Sequence, residues 1–151
     1  MSRVIVLDST PLALFLQRRS YHRASECSAW VARHLNAGDR LIVPEIIEYE
    51  VRRELLRLGK TSAIRRLDLF NRAVPDRLLP VSSNALRKAA ELWAQVRRKG
   101  MPTADVHALD VDMILAAQVL TTDFGADDVI VATGNVGHLS PVVRADQWDR
   151  I

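Results

Sequence analysis

The chain has 151 residues, of which 48% are apolar and 26% are charged, and its formal net charge is +3. That length fits one compact domain, and the longest apolar runs, such as 113–117, are far too short to span a bilayer. The start is too brief for a secretory signal, and the one cysteine, Cys27, allows no internal disulfide and no cysteine-rich zinc site. We therefore expect a cytoplasmic protein that does not enter a membrane.

Arginine dominates the basic residues, because 18 of the 21 are Arg and only three are Lys. The planar guanidinium group binds phosphate through a fork of donors, so this bias is compatible with a nucleic-acid substrate. A GC-rich genome also enriches Arg, and composition alone does not decide between the two explanations.

The first elements are a strand and two helices. Residues 4–7 are an apolar, β-rich run that predicts a buried parallel strand ending at Asp8. Ser9 or Thr10 is expected to cap the helix that follows. A second helix over about 23–35 is expected to turn three apolar side chains inward: Trp30, Val31 and Leu35.

The rest of the chain repeats this alternation. The patterns predict strands at 41–43, 78–81 and 129–132, with a short fifth at 142–143. They predict helices over 45–58, about 62–72, from a cap at Ser82 or Ser83 to 97, and 109–120. This order indicates an α/β fold, a single domain over 1–151 with a central parallel β-sheet of four to five strands flanked by helices. Ligands of such sheets bind outside the carboxyl ends of the strands, so functional residues are expected there.

Two acidic residues fall at or near those ends in the first half of the chain. Asp8 follows the first strand directly and either faces the ligand-binding edge or caps the next helix. Glu50 lies on the helix after the second strand, beside Val51 at the border of its apolar stripe. The neighbouring acids and arginines of that helix are explained by an ordinary surface of ion pairs.

Asp110 and Asp112 stand near the beginning of an apolar, small-residue helix. Helix capping and the helix dipole account for one of them, and two acids before so buried a helix suggest a further role. Asp105 would share the face of Asp112 only if the helix extended back to that residue, close to Pro102, and the sequence leaves this open.

The loop after the fourth strand reads ATGNVGH and places Thr133 and Asn135 at another carboxyl end. We interpret His138 as a hydrogen-bonded loop residue and not as a metal ligand. Several carboxylates on one edge, without a cysteine set or an HExxH motif, favour a hard cation such as Mg²⁺ or Mn²⁺. Such a site activates water and stabilises the leaving oxygen in phosphoester cleavage.

Taken together, these segments resemble the PIN-domain family, and particularly the VapC-type toxins of bacterial toxin–antitoxin pairs. The resemblance runs nearly from end to end and rests on the order and spacing of VIVLDST, VPEIIEYEVRREL, DMILAAQVL and VIVATGNVGHLS, with Trp148 near the end. One departure concerns the loop after the fourth strand, where the family often carries Asp and this chain has Asn135 and His138.

The resemblance implies a metal-dependent endoribonuclease that cleaves RNA phosphodiesters. Asp8, Glu50 and Asp112 would hold Mg²⁺ or Mn²⁺, with Asp110 as a fourth catalytic acid. Thr133 and Asn135 would position water or phosphate, and Arg52 and Arg53 could contact the RNA backbone. The family usually forms homodimers and is commonly silenced by a small antitoxin protein.

Other functions stay open on the sequence alone. The chain could be a housekeeping PIN nuclease without an antitoxin, or a PIN-like module that binds RNA without cutting it, which the non-acidic fourth loop favours. A hydrolase of the phosphatase type needs a second Asp two residues after the first, and position 10 is Thr.

Overall fold

The computed structural model describes residues 2–18, 20–100, 106–125 and 127–151. Its strands are β1 Arg3–Leu7, β2 Arg40–Pro44, β3 Leu78–Leu79, β4 Asp128–Thr133 and β5 Ala145–Gln147. Its helices are α1 Ser9–Leu16, α2 His22–Asn36, α3 Glu45–Arg57, α4 Thr61–Ala73, α5 Ser83–Arg98, α6 Val106–Leu120 and α7 Val136–Leu139. A short 3-10 helix, Trp148–Arg150, follows β5.

The strands form one parallel sheet in the order β3-β2-β1-β4-β5. The central strand β1 pairs with β2 on one side and β4 on the other, so that Val6 lies opposite both Ile42 and Val131. Because all strands run the same way, their carboxyl ends meet at one edge, which we call the carboxyl edge. The predicted α/β architecture is confirmed.

The core is centred on β1 and α6. Val4, Ile5 and Val6 have no solvent exposure, as expected for a parallel strand covered on both faces. Ala116 and Ala117 of α6 are also fully buried, because their small side chains let neighbouring elements pack closely against the helix. Within the described residues, no helix is both long and apolar enough to cross a membrane.

The first helix begins one residue earlier than predicted. The cap is Asp8 and not Ser9 or Thr10, since Asp8 keeps extended backbone angles and its Oδ1 accepts the Ser9 N–H at 2.7 Å. The helix-cap interpretation of Asp8 is therefore correct, and it does not conflict with a second role at the carboxyl edge.

The inner face of α2 was predicted wrongly at its last turn. Leu35 is 40% exposed, whereas His34 is buried. The imidazole is accommodated there because its Nδ1 lies 2.7 Å from Asp39 Oδ2 and its Nε2 lies 3.3 Å from the Ile151 carbonyl oxygen. The inward-facing residue of this turn is therefore a polar side chain with two hydrogen-bond partners, and not the apolar side chain that was predicted.

Two strands differ from their predicted bounds by more than one residue at an end. The fifth strand is Ala145–Gln147 and not 142–143, because the Val142 and Val143 N–H groups both bond the Leu139 carbonyl in a turn after α7. The third strand ends at Leu79, and the Val81 N–H donates instead to Glu45 Oε1 at 3.1 Å.

Candidate active site

Asp8 lies where β1 passes into α1, at the centre of the carboxyl edge. Its backbone N–H continues the pairing with β4 by bonding the Ala132 carbonyl at 3.0 Å. Its Oδ1 accepts the Ser9 N–H, and its Oδ2 accepts the Thr133 hydroxyl hydrogen at 2.6 Å. Burial raises the pKa of this carboxyl group above its usual value although both hydrogen bonds favour the charged form.

Asp112 lies in the second turn of α6, which begins at Val106, three residues before the predicted start. The pKa of Asp112 is raised from 3.8 to about 7, first by burial and then by the negative charges of Asp8 and Glu50. Asp8 after β1, Glu50 of α3 and Asp112 of α6 therefore lie near one another, and we call these three carboxylates the acidic cluster.

Glu50 reaches this cluster from the second turn of α3. The buried side chains of Ile47 and Val51 fix that face of the helix against the core and leave Glu50 half-buried at its border. Glu50 and Glu54 also line a groove of about 280 Å³ between α1 and α3.

The structure does not bring Asp110 into the cluster. Two residues apart on a helix, Asp110 and Asp112 point in directions that differ by about 200°. Asp110 is exposed, and the carboxylates that raise the pKa of Asp112 are Asp8 and Glu50. Asp105, which the sequence left as an uncertain neighbour of Asp112, lies outside the described residues.

The loop after β4 completes the site with polar groups. Thr133 is fully buried, and its Oγ1 accepts the Asn135 N–H at 2.9 Å while donating to Asp8. The exposed Asn135 side chain places Nδ2 3.1 Å from His138 Nδ1. Both residues predicted to position water or phosphate therefore lie at the carboxyl edge.

His138 belongs to this site although its interpretation from sequence was an ordinary loop residue. Its Nδ1 lies 3.5 Å from Asp112 Oδ2, and its positive charge when protonated favours ionised Asp8. A lone histidine in a glycine-containing loop gives no local signal of this contact, because the pairing of β4 with β1 and the packing of α6 on α7 create it.

The two arginines that could contact the RNA backbone make interactions within the protein. Arg52 donates from Nε to Glu48 at 2.6 Å and from Nη2 to Asp68 at 2.5 Å, which ties α3 to α4. The Arg53 guanidinium lies 5.2 Å from the centre of the Tyr49 ring on the surface of α3.

The chemistry of the cluster suits a divalent cation, since it offers oxygen donors whose mutual repulsion a cation would relieve. Among the described residues, however, no group of three or more Asp, Glu, His or Cys side chains is arranged so that it could hold a metal ion. The charges of Asp8 and Glu50 contribute to the raised pKa of Asp112, but the three side chains are not gathered into a metal site in this structure.

The fold and the acidic carboxyl edge together agree with one class of protein. The sequence profile of the PIN domain matches residues 5–131, most of the chain. This chain belongs to the PIN-domain family.

Comparison with solved structures finds the same fold over nearly the whole chain. FitAcB from Neisseria gonorrhoeae has a TM-score of 0.67 at 18% identity, with 97% of this chain and 99% of that chain covered. DNA-bound VapBC from Salmonella typhimurium has a TM-score of 0.66 at 17% identity, covering 98% and 99%. VapBC2 from Rickettsia felis, bound to a promoter DNA fragment, has a TM-score of 0.65 at 12% identity, covering 96% and 98%. A sequence comparison with curated proteins gives no significant match.

Proposed function

We propose that this PIN domain is a metal-dependent endoribonuclease and the toxin of a toxin–antitoxin pair. One observation carries the nuclease proposal: carboxylates from three separate parts of the chain lie at the carboxyl edge, where burial, together with the negative charges of Asp8 and Glu50, raises the pKa of Asp112 to about 7. Such mutual repulsion marks a site whose charge is balanced by something that binds there.

Asp8, Glu50 and Asp112 are the carboxylates that would hold Mg²⁺ or Mn²⁺, and because they are not gathered into a metal site in this structure, their side chains would have to move together on binding. The bound ion would supply Lewis acidity, which activates water and stabilises the leaving oxygen of a phosphodiester. Asp110 is a weaker candidate for the fourth acid, because it is exposed on another side of α6.

The other polar groups of the site orient the acids. The Ser9 N–H and the Thr133 hydroxyl fix both oxygens of Asp8, so this carboxylate faces the cluster without rotating. The Asn135 N–H fixes Thr133 in turn, and the exposed Asn135 amide, whose Nδ2 lies 3.1 Å from His138 Nδ1, would also contact water or a phosphate oxygen on the solvent side. His138 lies against Asp112 where many relatives are expected to carry a carboxylate.

The proposal of a toxin role rests on the solved structures that share this fold. The solved structures described above are VapBC complexes and FitAcB, and the likeness extends over whole chains. The groove between α1 and α3 is mainly apolar and has Glu50 among its lining residues, so it offers a surface for an apolar segment of a small antitoxin that carries a basic residue. We also propose a homodimer as the form in solution.

The first experiment measures cleavage of a mixed RNA pool with Mg²⁺, Mn²⁺ or EDTA. We expect metal-dependent cleavage that is lost in Asp112→Asn and kept in Asp128→Asn, a matched control on an exposed carboxylate at the other end of β4. Asp110→Asn is expected to lose less activity than Asp112→Asn. RNA binding without cleavage in any metal would instead support a non-catalytic RNA-binding module.

The toxin role has a separate test. Induced expression is expected to arrest bacterial growth, and Asp112→Asn is expected to abolish the arrest. Cleavage in vitro without growth arrest would support the nuclease activity and contradict the toxin role. The chain would then be a housekeeping nuclease.

A further inference from the structure

The end of α5 carries cationic side chains that are not neutralised by any acid in the part of the chain that the structure describes. Arg97, Arg98 and the helix-capping Lys99 are exposed, and none of them forms an ion pair with any other described residue. The nearby acid of the same helix, Glu91, lies 3.6 Å from Lys88 instead. We call Arg97, Arg98, Lys99 and Trp93 the basic end of α5.

Trp93 is an exposed aromatic side chain within this group. Its partners in the helix, Leu92 and Val96, are buried, whereas Trp93 is 37% exposed. The Arg97 guanidinium lies over its ring, 5.5 Å from the centroid. A large ring beside an unpaired cation is the combination that binds single-stranded nucleic acid, because bases stack on the ring and phosphates pair with the cation.

The basic end of α5 packs beside the helix that carries Asp112. Gln118, in the last turn of α6, donates to the carbonyls of Leu79 and Pro80, which directly precede α5. The start of α5 therefore lies beside the end of α6. Since the two helices pack along each other, they are antiparallel, and the end of α5 lies beside the start of α6.

Helix geometry then relates Trp93 to the candidate active site. Trp93 lies about 8 Å before the end of α5, and Asp112 lies about 9 Å after the start of α6. Trp93 therefore lies on the half of α5 that packs beside the first half of α6, which carries Asp112. An RNA strand that leaves the acidic cluster along α6 towards the start of that helix would next meet the basic end of α5.

We propose that the basic end of α5 binds single-stranded RNA and directs it to the acidic cluster. Trp93 stacks on a base, and Arg97, Arg98 and Lys99 pair with the adjacent phosphates. This inference rests on the proposed function for the identity of the polyanion. It assigns the contact to α5 and not to α3, where Arg52 is already paired with two carboxylates.

The test measures binding of a short fluorescein-labelled oligouridine by fluorescence anisotropy, in an Asp112→Asn background that prevents cleavage. Arg97→Glu/Arg98→Glu is expected to weaken binding at least tenfold and to make the slope of log K against log salt shallower by about 1.4, from two lost phosphate contacts. Trp93→Ala is expected to weaken binding at least fivefold, and Trp93→Phe is expected to restore most of it, because a phenyl ring still stacks.

A matched control changes the same charge elsewhere. Arg33→Glu/Arg65→Glu alters two exposed arginines of α2 and α4 that also lack ion pairs within the described residues, and it is expected to leave the salt slope nearly unchanged. An equal loss in both double variants would overturn the proposal, as would equally tight binding of the same strand in a duplex. Sedimentation that shows Trp93→Ala dissociating a dimer would also overturn it, since Trp93 would then be a subunit contact.

The outcome is separable from that of the proposed function. If the wild-type chain binds RNA through α5 but does not cleave it, this inference stands and the proposed nuclease activity is refuted. If the wild-type chain cleaves RNA with metal but the α5 variants bind RNA as tightly as the wild type, the nuclease proposal stands and this inference is refuted.

Discussion

The Thr133 hydroxyl donates its hydrogen to Asp8 Oδ2 at 2.6 Å and so joins the carboxyl ends of β4 and β1 through side chains. Both residues are buried, and they lie 125 positions apart in the chain. The bond holds Asp8 in its orientation and favours its charged form against the effect of burial.

Replacing Thr133 by Val removes this bond while keeping the shape of the side chain. We expect Thr133→Val to lower the free energy of unfolding by about 1–3 kcal/mol, because Asp8 Oδ2 is left buried without its donor. Activity is expected to fall as well, since Asp8 becomes freer to rotate and its pKa rises. Urea denaturation and single-turnover RNA cleavage measure the two effects.

Thr133→Ser is the matched control, because it keeps the hydroxyl group and loses only a methyl group. It is expected to retain most of the activity. Equal activity in the Val and Ser variants would show that the hydrogen bond does not orient Asp8.

The raised pKa of Asp112 predicts an unusual pH dependence of stability in the absence of metal. The folded carboxyl group has a pKa of about 7 against a usual value of 3.8, so the folded state binds this proton more tightly than the unfolded state. The free energy of unfolding in EDTA is therefore expected to fall as pH rises from about 4 to about 7 and then to level off. Denaturant titrations across this range measure it.

Asp112→Asn removes the titrating group and supplies the comparison. Its unfolding free energy is expected to vary less over the same range and to exceed that of the wild type at pH 8. If the two proteins show parallel curves, Asp112 is not held among like charges. Adding Mg²⁺ is expected to reduce the difference, because a cation would favour the ionised cluster.

The parts of the site that sequence predicted are those with strong local signals. β1 is a continuous apolar run with an acid at its end, and that pattern marked Asp8 as either an edge carboxylate or a helix cap. Glu50 was marked by its place beside Val51, and Asp112 was distinguished from Asp110 by the resemblance of DMILAAQVL to the helix of the family. β5 was misplaced because its sequence, ADQ, has no apolar alternation and its position comes from pairing with β4. The contact of His138 with Asp112 was not predicted for the same reason, because tertiary packing creates it.

Gly134, in the loop after β4, has no room for a Cβ atom. A Cβ atom there would lie 2.7–2.9 Å from side-chain atoms of Thr10. We expect Gly134→Ala to lower the free energy of unfolding by about 1–3 kcal/mol through overpacking and to disturb the adjacent Thr133–Asp8 bond. Thermal denaturation and RNA cleavage provide the measurements.

Gly137→Ala is the control for this change, because the nearest atom to its Cβ is 4.0 Å away and its backbone angle is ordinary. It is expected to be nearly neutral. Thr10→Ala combined with Gly134→Ala is expected to recover part of the loss. The clash is refuted if both glycine variants are equally stable.

Arg52 gives a prediction that separates a structural arginine from a substrate contact. Its guanidinium bridges Glu48 and Asp68 and is about one-third exposed, so Arg52→Gln is expected to lower the free energy of unfolding by about 1 kcal/mol. The affinity for oligouridine is expected to stay within about twofold of the wild type, because both faces of the fork are already paired. Urea denaturation and anisotropy on the same preparation measure both quantities. A large loss of RNA affinity at unchanged stability would show that Arg52 contacts RNA. The RNA-binding surface would then include α3 and not only α5.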